Sequence, residues 1–392
     1  LVVLYDLVRA RHRRGGLPLE TRFPTPPIGR EETLRELSAK LDLLLSGQGQ
    51  VIRLVGEAGM GKSHLASDFV RKAKNKGVNV VVGNCQSVTQ TAAYTPWRQI
   101  FFALLNLDEG SETGAIEKLT TFLETEHSGW VLRLPLLGDL LGLPIPDNPT
   151  TGALDSNLRQ VSLFSLLVEM VQAWALEKPL ILLVDNSQWM DEAFSGANAG
   201  FSQQVSGGFP VMVFLAHRPV MFETETLLPK LNNLSNYAEI FLKEMPEGDI
   251  SLLAERILGA APSQLVSMIV QQMTRGNPFF VSELLNAMLQ GGQLAKDIEE
   301  KWHVSDDLLA ILQRSNFVLQ VEGEWLLRSD VDLSSMKIGI PDSIHGLILA
   351  RLDRFRKHTN LRLKLVVLLV IPLILRWLPK RIQIKRLFLM SR

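Results

Sequence analysis

The chain has 392 residues, with 41 lysines and arginines against 41 aspartates and glutamates, and 46% of its residues are hydrophobic. This length exceeds a single small core and predicts two or three domains of ordinary globular composition. The one cysteine, Cys85, excludes an internal disulfide framework and a cysteine-based zinc site. Such cysteine usage is typical of a reducing compartment and predicts a cytoplasmic protein.

The zero formal net charge conceals an uneven distribution. Residues 355–392 hold ten basic and no acidic residues, which leaves a net charge of −10 on residues 1–354. An acidic body argues against a broad nucleic-acid-binding surface. The basic tail, residues 357–392, contains the apolar run Leu365–Leu375, which is too short to span a bilayer. Three interpretations of this tail stay open: a buried helix, a membrane-surface anchor, and a terminus that is not native coding sequence.

Residues 1–27 combine a short apolar run with a basic cluster and a proline-rich stretch. The run is too short for a signal-peptide core, and we interpret the segment as a strand end followed by a linker. The chain starts at Leu1, so we expect either a fragment or an alternative start codon. Leucines at helical spacing then predict a helix over Ile28–Leu45.

The clearest motif lies in Val51–Val70. An apolar strand, Val51–Val55, is predicted to lead through a glycine-rich turn into an amphipathic helix from about Gly61. The turn fits the P-loop pattern G-x-x-x-x-G-K-[ST]. Its glycines let the backbone wrap an anion, and the helix N-terminus adds its positive dipole. The motif therefore predicts a binding site for a nucleoside diphosphate or triphosphate.

The residue types at the end of this turn indicate their roles. Lys62 is expected to reach the β- and γ-phosphates, and the Ser63 hydroxyl to complete a Mg²⁺ shell. The predicted nucleotide-binding residues of the turn are Gly56, Glu57, Ala58, Gly59, Met60, Gly61, Lys62, Ser63 and His64.

Four further apolar runs of strand length follow, and helical patterns fill the gaps between them. The predicted strands are Val78–Val82, Leu180–Val184, Val211–Ala216 and Ala238–Leu242. The predicted helices are Tyr94–Leu107, Gly114–Leu123 and Asn157–Leu176. This alternation predicts an α/β fold: a P-loop NTPase parallel sheet with helices on both faces.

From Pro246 onward the pattern changes to helices at Asp249–Leu258, Pro262–Met273 and Pro278–Leu289, then a hairpin around Glu322, then a helix at Ile344–Leu352. This order predicts a helical lid followed by a winged-helix-like module. The predicted domains are therefore residues 28–245 for nucleotide binding, 246–300 for the lid and 301–356 for the winged-helix-like module.

Two residues that come after predicted strands extend the site. Asp185 follows a buried strand at the edge where ligands bind in such sheets, so its carboxylate can hold Mg²⁺ through a water. The next residue is Asn186, whose amide can hold a water but cannot take its proton, so hydrolysis is less certain than binding. Arg218 follows the fourth strand and could point at the γ-phosphate.

Six motifs occur in one order: PPIGREETLREL, VGEAGMGKSHL, LILLVDNSQWMDEA, VFLAHRP, RGNPFFVSELL and IPDSIHGLILARLDR. Together they resemble the STAND-class P-loop ATPases of the AAA_16 type, also called origin-recognition-like AAA domains. The motifs most resemble those of bacterial regulators in which such a domain lies between an adenylate/guanylate cyclase domain and tetratricopeptide repeats. The resemblance covers about Pro27 to Arg354, and the opening LVVLYDLV looks like the last strand of a cyclase domain.

The resemblance implies roles for particular residues. It places Ile28, Gly29 and Arg30 beside the adenine, with Pro278 as a second adenine contact. It makes Asp185 the Walker B acid and Arg218 the sensor-1 residue, so that Lys62, Asp185 and Arg218 would be the catalytic set and Ser63 and Asp185 the metal ligands. Asn186 departs from the family pattern, which has a second acid there.

The resemblance also implies a function. Such proteins are signal-transduction switches, closed with ADP and open with ATP, so we expect ATP/ADP and Mg²⁺ as cofactors and weak ATPase activity. A protein partner or self-association is expected through regions outside this chain. Two alternatives stay open: an interaction module that binds nucleotide without hydrolysis, and a DNA-engaging AAA protein.

Overall fold

The structure, a computed structural model, describes residues 19–85, 94–108, 110–189, 202, 204, 207–219, 234–331 and 333. The chain divides into two compact units, the first formed by residues 1–253 and 275–279, the second by residues 254–274 and 280–392. The predicted apolar run before residue 19, the helix at 344–352 and the basic tail lie outside the described residues. The predicted domain boundaries stay predictions.

The first unit is built on five parallel strands: β1 Gln50–Val55, β2 Asn79–Asn84, β3 Leu180–Asp185, β4 Val211–His217 and β5 Tyr237–Phe241. Their order across the sheet is β2-β3-β4-β1-β5. Every neighbouring pair is parallel. The predicted parallel sheet is confirmed, and each predicted strand differs from the observed one by only one or two residues at its ends.

Eight helices of this unit lie in the described residues: α1 Leu19–Arg22, α2 Glu31–Leu45, α3 Lys62–Asn75, α4 Thr95–Leu104, α5 Glu112–Glu126, α6 Leu134–Leu141, α7 Pro149–Gly152 and α8 Ser156–Glu177. α2 begins three residues later than predicted, because Gly29 has a φ of +64° and Arg30 adopts a non-helical conformation. α1, α6 and α7 were not predicted, since each is too short to show a helical period; α1 lies in the segment 1–27 that was interpreted as a strand end and linker.

The three inner strands, β3, β4 and β1, are buried along their whole length, whereas β2 and β5 at the sheet edges are partly exposed. In β3, Leu180, Leu182 and Val184 pack into a core with α4, α5, α6 and α8. Ile181 and Leu183 point the other way, into a core with α2 and α3. The two-residue period of a strand thus divides one apolar run between two cores and places helices on both faces.

All five strands run in the same direction, so their carboxyl ends meet at one edge of the sheet. β1 leads there into the P-loop, β3 ends at Asp185, and β4 ends at His217 and is followed by Arg218. β4 separates β1 from β3, so Arg218 emerges between the P-loop and Asp185. This edge is where ligands bind in open α/β sheets.

α9 Glu247–Leu258 crosses from the first unit into the second, which also contains α10 Gln264–Thr274, most of α11 Pro278–Gln290, and α12 Asp306–Arg314. Two antiparallel hairpins accompany them, β6 Leu294–Lys296 with β7 Trp302–Val304, and β8 Val318–Val321 with β9 Glu324–Leu327. The second hairpin lies where it was predicted, and the first was not predicted. The winged-helix-like assignment stays a prediction, since its final helix lies outside the described residues.

None of the helices in the described part of the chain combines the length and apolar character needed to cross a membrane.

Candidate functional site

The P-loop has the backbone conformation that its glycines predict. Gly59 and Gly61 have φ values of +84° and +86°, in the left-handed region that favours glycine. Gly61 is the N-cap residue of α3, and within the described residues no side chain caps the first turn of that helix. Gly61 therefore offers no side-chain cap to the first N–H groups of α3, which suits a helix N-terminus that binds an anion.

Lys62 is held inside this turn. Its side chain is 7% exposed, and Nζ donates to the carbonyl oxygens of Gly56 at 2.6 Å and Glu57 at 3.0 Å. Burial, followed by the positive charge of Arg218, lowers the pKa of Lys62 from 10.5 to about 8, although Asp185 and Glu57 oppose the shift. A buried ammonium group beside a second cation creates a positive potential that favours binding of a polyanion.

Ser63 and Asp185 come from distant parts of the chain and meet at the edge of the sheet. Ser63 Oγ donates to Asp185 Oδ2 at 2.8 Å, and the Asn186 N–H donates to Asp185 Oδ1 at 2.9 Å. Asp185 is 2% exposed. The structure thus brings together the two oxygen donors that were predicted as Mg²⁺ ligands.

The outer arm of the P-loop is held by two other segments of the first unit. Arg30, which is 8% exposed, donates through Nη2 to Met60 O at 3.2 Å and through Nη1 to Lys243 O at 2.9 Å. Burial lowers the pKa of Arg30. Asn277 Nδ2 donates to Ala58 O at 2.8 Å, and the Phe279 N–H donates to Gly59 O at 3.3 Å.

Other predicted residues lie around this arm. Ile28 is half-buried, and Gly29 approaches Asp249 so closely that a Cβ would lie 2.3 Å from a carboxylate oxygen. Pro278 begins α11 between the two residues that contact the P-loop. His64 points away from the turn, with Nε2 2.7 Å from Thr25 O.

Residues 26–214 match the family model AAA_16, the AAA ATPase domain. The match implies nucleotide binding by this region, which contains the P-loop and Asp185. Arg218, Asn277 and Pro278 lie beyond the matched residues. No curated protein matches the chain in a sequence search.

Solved structures that match the chain include the Orc1 protein of Aeropyrum pernix in complex with DNA, at 15% identity and a TM-score of 0.39 over 74% of this chain and 66% of that one. They also include PCH-2 of C. elegans, at 9% identity and a TM-score of 0.30 over 59% of this chain and 47% of that one. This chain therefore covers less than two thirds of the length of either structure.

The described residues around the P-loop and Asp185 fit a magnesium nucleotide. The P-loop needs glycine where it packs against its neighbours, since a Cβ on Gly59 would lie 2.5 Å from Asn277 Oδ1 and one on Gly56 would lie 3.1 Å from Leu242 Cβ. Lys62 supplies a cation, and Ser63 with Asp185 supplies hard oxygen ligands of the kind that Mg²⁺ prefers. Hydrogen bonds therefore fix each group in place around the bend that a phosphate chain would occupy.

The side chains of Asn186 and Gln188, both soon after Asp185, point in opposite directions along the edge of the sheet. Asn186 has a φ of +57°, and its Nδ2 donates to Asn84 Oδ1 at 3.3 Å, on the β2 side of β3. Gln188 lies in the turn Ser187–Trp189, and its Oε1 accepts from the Arg218 N–H at 3.2 Å, on the β4 side. The P-loop lies on this second side, beyond β4.

A buried polar cluster lies beneath Arg218. Arg53 Nε and Nη2 lie 3.0 and 2.8 Å from His217 Nε2, and Arg53 Nη1 lies 3.0 Å from Glu239 Oε1 and 3.1 Å from the Tyr237 hydroxyl. His217 Nδ1 donates to Arg218 O at 2.7 Å, because Nε2 must accept from Arg53. Burial and the charge of Arg53 lower the pKa of His217 from 6.5 to about 4, so its imidazole is neutral at pH 7.

Sequence reasoning missed Arg53, Asn277 and Gln188, and gave His217 no role. Arg53 did carry a signal, because a charged residue inside an apolar strand requires a buried partner. Asn277 carried none, since its partner in the P-loop lies 219 residues away in sequence. Only the folded sheet reveals that Gln188 lies on the β4 side.

Proposed function

We propose that this chain is the core of a STAND-type signal-transduction switch that binds ATP and ADP with Mg²⁺ and hydrolyses ATP slowly. The observation that carries the proposal is the convergence of Lys62, Ser63 and Asp185 on the turn of a P-loop. The family match supports nucleotide binding, and the ordered motifs along the chain support the switch role.

Each group has a defined task in this proposal. The P-loop N–H groups and Lys62 hold the phosphates, and Lys62 exchanges its two carbonyl partners for phosphate oxygens. Ser63 and Asp185 hold the Mg²⁺, which neutralises charge on the β- and γ-phosphates when bound. Arg218 follows β4, and its charge acts on Lys62, which supports a role in sensing the γ-phosphate.

Movement would pass through the segment Arg275–Phe279. By its contacts this segment belongs to the first unit, whereas the residues before and after it belong to the second. It bonds the P-loop at Ala58 and Gly59, so a change in the P-loop backbone alters a segment that is continuous with α10 and α11. This arrangement supports a switch in which ADP and ATP favour different positions of the predicted lid.

The first test is to denature the purified protein and identify the nucleotide that it releases. One ADP per chain would support a switch that has turned over, and one ATP would support binding without hydrolysis. Absence of nucleotide, together with binding of added Mg-ATP by wild-type protein that is no tighter than by a Lys62→Ala control, would contradict the proposal.

Asn186 favours a second candidate, a nucleotide-binding interaction module that does not hydrolyse ATP. In sequence, Asn186 stands where the family has its second acid, and an amide cannot accept a proton from water. Single-turnover incubation with radiolabelled ATP separates the two candidates, since only the switch releases phosphate.

A protein partner or self-association, and a cytoplasmic location, complete the proposal. The acidic body argues against DNA as the partner. A mobility-shift titration with duplex DNA at two salt concentrations tests this point, since a binding constant that falls steeply with salt would instead support a DNA-engaging AAA protein.

A further inference from the structure

We infer that Gln188 orients the attacking water in ATP hydrolysis and donates a hydrogen bond to the γ-phosphate, in the role that Asn186 does not fill. This inference rests on the proposed function. Three observations support it: Asn186 and Gln188 point in opposite directions, the orientation of the Gln188 amide is fixed by its partner, and hydrogen bonds connect this amide to the P-loop.

The direction of Asn186 removes it from the P-loop side of the sheet. Its Nδ2 bonds to Asn84 Oδ1 at the end of β2, whereas the P-loop follows β1. β3 and β4 lie between these two strands. In this conformation a side chain at position 186 points away from the phosphates, whatever its chemistry.

The direction of Gln188 is opposite. Its amide lies 3.2 Å from the Arg218 N–H, at the end of the strand next to β1. A backbone N–H can only donate, so the amide atom that it meets must be the oxygen, which fixes the other atom as the NH₂ group. Among the described residues, this Nε2 is buried and has no hydrogen-bond partner.

A buried donor without an acceptor is unfavourable, so its presence here requires a reason. An anionic oxygen at the P-loop would supply the acceptor, and charge-assisted hydrogen bonds of this kind are about twice as strong as neutral ones.

A short run of hydrogen bonds connects this amide to the phosphate-binding turn. The Gly56 N–H, first in the P-loop, donates to His217 O at 3.2 Å. The next residue, Arg218, is the one whose N–H binds Gln188. The position of Arg218 is also fixed by His217 Nδ1, which donates to Arg218 O. The backbone of His217 and Arg218 therefore binds both the first residue of the P-loop and the side chain of Gln188.

The amide has the groups that the reaction needs. Its oxygen has two lone pairs, one used by Arg218 and one able to accept an O–H of water, while Nε2 can donate to a γ-phosphate oxygen. A glutamine can orient the attacking water in this way without acting as a base. The water oxygen forms the new bond to phosphorus, and the bond between phosphorus and the β–γ bridging oxygen breaks with its electron pair passing to ADP. One water proton stays on the phosphate, and the other is released to solvent.

The experiment compares wild-type protein with Gln188→Ala, Gln188→Leu, Asn186→Asp and Gln99→Ala. Gln99 is the matched control, since its Oε1 accepts from the Asn84 N–H at 2.8 Å, as Gln188 does from Arg218, but at the end of β2. Two quantities are measured for each protein: the single-turnover rate of ATP hydrolysis, and the affinity for Mg-ADP with and without aluminium fluoride, which mimics the phosphoryl group in transfer.

We expect both Gln188 variants to bind Mg-ADP like wild type but to lose roughly 100-fold in hydrolysis rate, the usual effect of removing one transition-state donor. The extra affinity conferred by aluminium fluoride should fall in parallel. Asn186→Asp and Gln99→Ala should keep both quantities within about threefold of wild type, as substitutions away from the reacting groups do.

Three results would overturn the inference while leaving nucleotide binding intact. They are Gln188 variants that hydrolyse ATP and bind the aluminium fluoride complex like wild type, a large rise in rate in Asn186→Asp, and a wild-type protein that binds nucleotide but neither hydrolyses it nor gains affinity from aluminium fluoride. A wild-type protein that binds no nucleotide would instead overturn the proposed function, and the inference with it.

Discussion

Ser63 and Asp185 lie 122 residues apart in sequence, yet Ser63 Oγ donates a hydrogen bond to Asp185 Oδ2 at 2.8 Å. The contact spans β4, because Ser63 lies in the first turn of the helix after β1 and Asp185 ends β3. A hydroxyl and a carboxylate held together beside a phosphate-binding turn form the protein side of a magnesium site.

Ser63→Ala should therefore reduce the magnesium dependence of nucleotide binding. We expect the affinity for Mg-ADP to fall roughly tenfold, about 1.4 kcal/mol, while the affinity in EDTA changes little. Titration of a fluorescent ADP analogue with Mg²⁺ and with EDTA measures both. Ser46→Ala is the matched control, since Ser46 Oγ bonds only its own helix end at Leu43 O. Equal losses with and without Mg²⁺ would contradict the assignment of Ser63 to the metal.

The lowered pKa of Lys62 predicts that nucleotide affinity depends on pH. Its pKa is about 8 in the free protein, and bound phosphates should raise it, because opposite charges favour the ammonium form. Affinity should thus be highest below pH 8 and fall as the pH rises through 8, since binding must then take up a proton. Binding curves from pH 7 to 9.5 measure this. Lys62→Arg should show little decline, since arginine stays protonated over the range; parallel curves for the two proteins would refute the prediction.

The contact between Gly59 and Asn277 predicts an unusually large effect of one methyl group. Gly59→Ala places a residue at φ +84° and brings its Cβ within 2.5 Å of Asn277 Oδ1 and 2.9 Å of Phe279 Cβ. Gly47→Ala has the same backbone problem at φ +91° but no atom within 4 Å. Backbone strain alone is worth about 1–2 kcal/mol, so we expect Gly59→Ala to lose stability beyond that and to weaken ADP binding.

Chemical unfolding and ADP titration of both alanine variants test this expectation, and Gly59→Ala/Asn277→Ala should recover part of the loss. Equal losses of stability in Gly59→Ala and Gly47→Ala would show that the contact with Asn277 is unimportant.

Much of the fold could be predicted because its signals are local. Five runs of mainly apolar residues predicted the five strands, and the P-loop pattern fixed the strand-to-helix junction that begins α3. Short elements such as α6, β6 and β7 could not be predicted, since three to eight residues show no reliable period. The start of α2 is set by tertiary contacts, because Arg30 bonds to Met60 and Lys243 and lies just before the helix.

The site was predictable where the motif contains the chemistry, as at Lys62 and Ser63. It was not predictable where the partner lies on another strand. Nothing local indicates that Asn186 faces Asn84 while Gln188 faces Arg218, because these directions follow from the strand order β2-β3-β4-β1-β5. From the sequence we therefore linked hydrolysis to Asn186, although the side chain on the P-loop side is that of Gln188, two residues later.

The pair Arg53 and His217 predicts how the stability of the protein depends on pH. The pKa of His217 is about 4 in the folded protein and near 6.5 in the unfolded chain. As the pH falls from 6.5 to 4, the unfolded chain binds a proton that the folded protein cannot, so the free energy of unfolding decreases. The decrease approaches about 3 kcal/mol at pH 4 and is absent above pH 7.

His217→Gln isolates this effect, because glutamine can accept from Arg53 and donate to the Arg218 carbonyl but does not titrate. Urea unfolding at pH 7, 5.5 and 4.5 should show the two proteins converging in stability as the pH falls, with wild type losing about 2 kcal/mol more than the variant by pH 4.5. The other histidines are common to both proteins and cancel in the difference. A constant difference across the three pH values would mean that His217 takes up its proton in the folded protein at an ordinary pH, and that Arg53 does not hold it neutral.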